Sequence, residues 1–140
     1  MEEEWRITPI LDTDCIIQYL RDNKNAKSMF EKVKGQSIRL ITTAFTVAEL
    51  YYGAFISSNS AKNLRDVQDF LSEFEILEFN EGSAKIYAQI AADLKNKGKP
   101  IGLIDPFIAS IVLQHNETLI TRNVKHFENI ERLAMINWEE

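Results

Sequence analysis

Short apolar runs alternate along this chain with longer segments whose apolar residues recur at helical spacing. The short runs predict strands, and the longer segments predict amphipathic helices. Strands separated by helices indicate parallel pairing, because a parallel connection needs a crossover of a dozen or more residues. We therefore expect an α/β fold, a three-layer sandwich with a central parallel sheet. The expected strands are residues 7–11, 38–41, 75–79, 118–121 and 133–136, and the expected helices are residues 13–21, 26–34, 43–56, 61–74, 83–95 and 106–115.

Two residues set limits on these elements. Pro9 is compatible with a strand only near the strand's start, because proline has no N–H to donate to a neighbouring strand. Gly98 follows the helix predicted for residues 83–95, in a position typical of a helix end. A chain of 140 residues without an internal repeat or a linker predicts one domain, residues 1–140.

Charge and cysteine content narrow the class of protein. A net charge of −5 argues against a general nucleic-acid coat protein, but a nuclease that holds divalent cations needs an acidic site. Cys15 is the only cysteine, so no intrachain disulfide forms and a reducing compartment is expected. The acidic start at residues 1–4 is unlike a signal peptide, and no apolar run is long enough for a membrane span. We expect a soluble, cytoplasmic protein without a membrane segment.

Several common chemistries lack their sequence signatures. The five glycines form neither a phosphate-binding Walker loop nor a dinucleotide fingerprint. Two histidines and one cysteine are too few for a usual structural zinc site. No serine lies in a G-x-S-x-G turn. After these exclusions, the sequence favours a site built from carboxylate side chains.

Two acidic positions follow strands or begin helices where a sheet edge is expected. Asp12 directly follows the first strand, and Asp14 adds a second carboxylate two residues later. Asp105 precedes Pro106 at a helix start. Each aspartate is also explained as a helix cap, and a cap followed by proline is a complete structural explanation for Asp105. Asn123 follows the strand at residues 118–121 and is equally typical of a turn.

Glu49 lies on a helix among apolar neighbours, with Phe45, Tyr52 and Ile56 at helical spacing from it. Burial of an unpaired carboxylate is costly, so this pattern indicates a bound cation, a rim position or a structural ion pair. Together, Asp12, Glu49 and Asp105 are expected to meet at one sheet edge. Mg²⁺ prefers oxygen ligands, and carboxylate-bound metals cleave phosphodiesters, so the combination indicates a metal-dependent nuclease.

These residues lie in four segments that resemble the motifs of one family. The segments are residues 10–17 (ILDTDCII), 46–53 (TVAELYYG), 101–109 (IGLIDPFIA) and 119–127 (LITRNVKHF), and Trp138 follows the last of them. In this order and spacing the chain resembles the PIN-domain ribonucleases, specifically the VapC-type toxins of bacterial and archaeal toxin–antitoxin pairs. The resemblance implies a parallel sheet of about five strands, Mg²⁺ or Mn²⁺ dependence and endonucleolytic cleavage of RNA. It also implies a homodimer and a cognate antitoxin.

The chain departs from the family pattern at two places. The family often has a fourth acid in its C-terminal signature, where this chain has Asn123 and His126, with Glu128 as the next acid. The number of cations per site, one or two, therefore stays open. Asp14 stands where the family usually has Asn or Ser, so it either adds a charge to the site or faces away from it.

The expected mechanism assigns a role to each candidate residue. Asp12, Glu49 and Asp105 hold the metal, with Asp12 and Asp105 as the most direct ligands. The other assignments concern substrate positioning and RNA contact. Thr121, Arg122 and Asn123 position the substrate, and Thr121 orients either the scissile phosphate or one of the acids by a hydrogen bond. The residues that contact RNA phosphates are Arg122, Lys95, Lys97, Lys99 and Lys125. The lysines are equally typical of a solvated helix end.

Other interpretations are kept beside the nuclease. Asp12-Thr13-Asp14 is similar to the Asp-x-Asp of haloacid-dehalogenase-like phosphatases, but that class needs a later lysine and paired acids, and residues 100–105 supply a single acid. The missing fourth acid also allows a non-catalytic PIN-like module that binds a partner. An apolar groove for a partner helix is predicted near four aromatic residues, although each of them is also typical of core: Phe45, Tyr51, Phe55 and Phe70.

Overall fold

The computed structural model describes residues 9–36, 39–100 and 102–140, which form a parallel sheet with helices on both faces. The strands are β1 (Pro9–Leu11), β2 (Leu40–Thr43), β3 (Phe74–Leu77), β4 (Thr118–Ile120) and β5 (Ala134–Ile136). The helices are α1 (Thr13–Leu20), α2 (Lys24–Gln36), α3 (Ala44–Ile56), α4 (Ser60–Leu71), α5 (Glu81–Asn96), α6 (Asp105–Gln114) and α7 (Val124–Phe127).

The strand order is β3-β2-β1-β4-β5, and each neighbouring pair is parallel. The predicted α/β class with a central parallel sheet of about five strands is confirmed. β1 is the middle strand and begins at Pro9, the position at which a central strand tolerates proline. Residues 7, 8 and 38 of the predicted strands lie outside the described residues.

Two hydrophobic clusters, one on each face of the sheet, make the three layers. One cluster joins α1, α2, α3 and α4 to the sheet through side chains such as Leu11 and Ile120. The other joins α5, α6 and α7 to the opposite face through their neighbours Ile10 and Leu119. Consecutive strand residues thus contribute to different clusters, because side chains alternate across a strand. This two-sided burial explains why the strands are continuous apolar runs rather than alternating ones.

Several element boundaries differ from the prediction. β2 extends to Thr43, which was expected to begin the helix, because Thr42 and Thr43 pair in register with Ile76 and Leu77. α4 ends at Leu71 instead of residue 74, since Phe74 pairs with Leu40 as the first residue of β3. The four-residue helix α7 was not predicted, being too short to carry a helical period.

The end of α5 agrees with expectation. Gly98 has φ of +66°, in the left-handed region that glycine adopts without strain. Its N–H donates to the carbonyl of Lys95, and the N–H of Lys99 donates to the carbonyl of Leu94. No helix in the described part of the chain is both long enough and apolar enough to cross a bilayer.

Phe30 should be one of the residues on which stability depends most. Its side chain is 2% exposed and stacks on Tyr19, with Phe70 and Phe74 as further ring neighbours. Phe30→Ala should lower the free energy of unfolding by about 3–5 kcal/mol, through lost burial and the cavity left behind. Urea titration of metal-free protein measures this value. The matched control is Phe55→Ala, at a side chain that is 65% exposed; equal losses for the two variants would contradict this account of the core.

Candidate active site

The carboxylate of Asp12 lies where β1 and β4 end side by side. Its Oδ1 accepts a hydrogen bond of 2.9 Å from the backbone N–H of Thr13, and its Oδ2 accepts one of 2.9 Å from Oγ1 of Thr121. Asp12 is therefore the N-cap of α1, as one interpretation of the sequence held. The second carboxylate oxygen is not needed for capping, and the hydroxyl after β4 fixes its direction. Asp12 is 6% exposed, so its orientation is set by these contacts.

Burial changes the acidity of Asp12. The pKa of the Asp12 carboxyl is raised to about 7. Desolvation by burial is the largest cause, the charge of Asp14 is the second, and the charge of Glu49 adds to the rise. Hydrogen bonds from Thr13 and Thr121 act in the opposite direction but do not compensate. Because repulsion from two neighbouring acids acts on a desolvated carboxylate, an added cation would relieve an unfavourable interaction here. The oxygen-only donors of these acids fit a hard divalent cation such as Mg²⁺ or Mn²⁺.

Glu49 is joined to Asp12 through Thr13. Oγ1 of Thr13 donates to Oε1 of Glu49 over 2.7 Å and lies 3.1 Å from Oγ1 of Thr46. Of the interpretations left open for Glu49, the rim position agrees with the structure, because Glu49 is exposed, as are Tyr52 and Ile56. α3 buries a different face, and its apolar residues surround the whole helix, so the stripe did not identify the buried side. The buried residues of α3 are Thr46, Leu50 and Ala54.

Asp14 is held by the C-terminal part of the chain. Its Oδ2 accepts hydrogen bonds from the backbone N–H of Arg122 over 3.2 Å and from Nε1 of Trp138 over 3.4 Å, and it pairs with the Arg122 guanidinium. That guanidinium also lies over the Trp138 ring and contacts Glu139. Asp14 thus neither faces away nor stands as a free ligand. Its charge is offset by Arg122 while still acting on Asp12.

Asp105 is the first residue of α6 and not its cap. The N-cap position belongs to Ile104, and no side chain caps this helix, so the capping interpretation of Asp105 was wrong. Its carboxylate is one-third exposed, and Oδ2 lies 3.5 Å from Nδ1 of His126 on α7. Burial raises the pKa of the Asp105 carboxyl, and His126 lowers it.

The acids do not form a single closed cluster. Asp12, Asp14 and Glu49 are coupled electrostatically, whereas the contact that the structure gives Asp105 is with His126. Among the described residues, no three Asp, Glu, His or Cys side chains lie close enough together to hold a metal ion.

The predicted substrate-positioning residues serve mainly to arrange the acids. Thr121 is buried, donates to Asp12 and accepts a hydrogen bond from the N–H of Asn123. Arg122 is engaged with Asp14 and Glu139, as described above. Lys97 pairs with Asp93 and Glu131 at the end of α5 rather than with the acids. Lys95, Lys99 and Lys125 are exposed.

Two cavities open beside Glu49. A groove of about 500 Å³ runs between α1, α3 and α4, and its apolar wall includes Ile17, Leu20, Leu50, Ala54 and Val67. A smaller cavity of about 360 Å³, here called the Tyr52 cavity, has seven lining residues: Thr13, Ile17, Phe45, Ala48, Glu49, Tyr52 and Ile104.

A partner groove was predicted near four aromatic residues, but none of the four lines the groove between α1, α3 and α4. Phe70 packs against Phe30 and Phe74, Phe45 packs against Phe79 and Phe107, and Tyr51 packs against the core. Phe55 is exposed but lies outside the groove. An apolar groove does lie beside the helices that carry these residues, but the aromatic side chains themselves are divided between core, cavity wall and surface.

Sequence reasoning missed contacts between distant residues. Trp138 was noted as a closing residue, but nothing in the sequence indicated that its indole N–H reaches Asp14. The role of Thr13 in holding Glu49 was also missed, although its place beside Asp12 was a usable signal. His126 was seen only as the residue that replaces an acid, whereas it lies beside Asp105.

Comparisons with known proteins agree with this geometry. The family model described as "PIN domain" matches residues 10–133. "Ribonuclease VapC1" from Haemophilus influenzae is 37% identical over 131 residues, which cover 92% of this chain and 96% of that protein. "tRNA(fMet)-specific endonuclease VapC" from Salmonella typhimurium is 30% identical over 129 residues, 92% of this chain and 96% of that protein.

A solved structure supports the same assignment. VapBC-1 from nontypeable Haemophilus influenzae superposes with a TM-score of 0.85 and 35% sequence identity, covering 94% of this chain and 98% of that one. This match removes the haloacid-dehalogenase-like interpretation of Asp12-Thr13-Asp14. The chain therefore belongs to the PIN-domain family and, within it, to the VapC-type ribonucleases.

Proposed function

We propose that this chain is a Mg²⁺- or Mn²⁺-dependent endoribonuclease and the toxin of a toxin–antitoxin module, with Asp12, Glu49 and Asp105 as its metal-holding acids. The observation that carries the proposal is the environment of Asp12. A buried carboxylate with a pKa of about 7, raised by burial and by two neighbouring acids, is an environment suited to a cation. Family membership supplies the substrate class, RNA.

The residues of the site would divide the work. A bound divalent cation supplies an acidified water and offsets charge on the phosphate oxygens. Thr121 orients Oδ2 of Asp12, and Thr13 orients Glu49 toward the same side. Asp105, being one-third exposed and at a helix start, is free to turn from His126 and complete the ligand set. Arg122 pairs with Asp14 and offsets part of its charge, although Asp14 still acts on Asp12.

The first substrate to assay is a transfer RNA. The Salmonella typhimurium relative is named as specific for tRNA(fMet), and this chain covers 96% of its length. We propose that a structured or single-stranded part of an RNA is cut, and that the protein acts in the cytoplasm, where such RNA is found.

A cognate antitoxin is the proposed protein partner. The groove between α1, α3 and α4 is apolar along its wall and has Glu49 among its lining residues. An amphipathic helix would lay its apolar face in this groove, and a basic residue beyond the helix would reach the acids in place of a cation. A homodimer belongs to the same proposal on family resemblance, and sedimentation analysis would measure it.

Chelation and acid substitution test the nuclease. EDTA should abolish RNA cleavage, and Mg²⁺ or Mn²⁺ should restore it. Asp12→Asn and Asp105→Asn should each lower the cleavage rate at least ~100-fold, as loss of a key transition-state stabiliser commonly does. Glu49→Gln should weaken cation binding while the protein remains folded, because Glu49 is exposed. The rates are measured on labelled tRNA in gels.

The matched control is Asp69→Asn, at an exposed position on α4, which should cleave at the wild-type rate. Cleavage that persists in chelator would contradict metal dependence. RNA binding without cleavage, in any divalent cation, would favour the non-catalytic PIN-like module instead.

The stability of metal-free protein should fall as pH rises from about 4 to about 7. The folded state raises the pKa of Asp12 from 3.8 to about 7, so the folded protein binds the proton more tightly than the unfolded chain in this window. Asp12→Asn should remove this part of the slope and be the more stable protein above pH 7. Urea titrations in EDTA at pH 5, 6, 7 and 8 measure the difference. If the free energies of unfolding of the wild type and of Asp12→Asn differ by the same amount at all four pH values, the pKa of Asp12 is not raised and this prediction is wrong.

Cell growth tests the toxin assignment. Induction of the chain alone should stop growth, and co-expression of the small open reading frame beside its gene should restore it. Leu20→Asp, in the groove, should keep the toxicity but lose the rescue, because the charge opposes an apolar partner face. Phe55→Asp, exposed outside the groove, is the control and should still be rescued. Harmless expression of an active nuclease would point to a housekeeping enzyme.

A further inference from the structure

The Tyr52 cavity lies next to the acids but is not part of them. It shares Thr13 and Glu49 with the candidate active site, and the rest of its wall is apolar or aromatic. We propose that this cavity holds one unstacked nucleobase of the RNA substrate, beside the phosphate that is cut. This inference rests on the proposed nuclease function and adds a base-binding subsite to it.

The walls of the cavity have the properties of a stacking surface. Tyr52 is 66% exposed, so a flat face of its ring is open to a ligand. Phe45, which also lines the cavity, is held in place by stacking on Phe107, with ring centroids 5.2 Å apart and planes at 22°. Phe107 is in turn stacked on Tyr87 at 4.2 Å with planes at 3°. A ring backed by such a stack moves little, and aromatic side chains of this kind bind splayed-out bases.

The polar end of the cavity suits a base better than an aliphatic side chain. Glu49 and Thr13 place oxygen acceptors at one end, and the exocyclic amino groups of adenine, guanine and cytosine are donors. When a phosphate of the RNA lies at the acids, the base on the adjoining sugar is within reach of the cavity. The larger groove shares Ile17 and Glu49 with this cavity but extends between α1, α3 and α4, so we assign the antitoxin helix to the groove and not to this cavity.

The subsite predicts a preference among RNAs. A base inside an A-form duplex is paired and stacked, so it cannot enter a cavity without leaving the helix. Cleavage should therefore fall in a loop or a single-stranded segment. This is a property of the cavity, since the acids alone would contact only the phosphate backbone.

Binding measurements test the subsite separately from cleavage. Fluorescein-labelled single-stranded RNA is titrated into protein with the Asp12→Asn background, and anisotropy gives Kd. Tyr52→Leu should weaken binding about 5- to 100-fold, the range for loss of one base–aromatic stack. Tyr52→Phe, which keeps the ring, should bind within about twofold of the parent. Phe55→Leu, one turn away and outside the cavity, is the matched control and should leave Kd unchanged.

An abasic RNA series identifies the base. Removal of one base at a time should reveal one position, next to the cleavage site, where the loss weakens binding to the parent protein. At that position, the losses of binding free energy caused by the abasic change and by Tyr52→Leu should not be additive, because both changes remove the same stacking contact. Circular dichroism and sedimentation of each variant check that fold and oligomer size are unchanged.

The outcomes separate the subsite from the nuclease. If Tyr52→Leu binds and cleaves RNA like the parent while Asp12→Asn is inactive, the nuclease stands and the base subsite is wrong. Additive losses, or equal losses for Tyr52→Leu and Phe55→Leu, also overturn the subsite. If wild-type protein neither binds nor cleaves RNA in Mn²⁺, both the proposed nuclease function and the base subsite are wrong. Antitoxin rescue that is lost in Tyr52→Leu, with RNA binding unchanged, would assign the cavity to the protein partner.

Discussion

The hydrogen bond from Thr121 to Asp12 joins the ends of two neighbouring strands and sets the position of the acid on which the site depends. The N–H of Thr13 holds the other carboxylate oxygen, so the first helix and the fourth strand constrain the same group. A carboxylate fixed in this way is desolvated, and its pKa rises to about 7. The fold thus gives up some stability to keep an acid where we propose that a cation binds, a compromise that is common at functional sites.

β1 and β4, two of the three interior strands, are both fully buried, and this makes their ends rigid enough to orient acids. Side chains of β1 are divided between the two clusters, so neither face can slide without disturbing a core. By contrast, Asp105 lies at the start of α6 after the exposed residues Leu103 and Ile104. The site therefore combines one fixed acid with one that has room to turn. That division agrees with a metal site that assembles when the cation arrives.

The sequence was informative where a rule acts over a short distance. Apolar periodicity placed the strands and all the longer helices, because burial on two faces dictates it, and the acids after β1 and on α3 were recognised from their motifs. It failed where distant contacts decide. The apolar neighbours of Glu49 left a bound cation, a rim position and an ion pair open, and it is packing through Leu50 and Ala54 that turns Glu49 outward to the rim. The alternative interpretation of Asp105 as a helix cap also failed, because Asp105 is the first residue of that helix. The link from Trp138 to Asp14 spans most of the chain and follows no local pattern.

An acidic ribonuclease must bind a polyanion without a broad basic surface. Net charge is −5, and two of the candidate RNA-binding cations are already engaged, Arg122 with Asp14 and Lys97 with Asp93 and Glu131. Steering by the field of the whole protein is then weak, and little binding energy comes from phosphate neutralisation. The acids themselves repel the backbone until a cation neutralises them. Uncharged contacts then contribute a larger share of the binding energy. The proposed stacking of a base on Tyr52 and Phe45 is a contact of that kind.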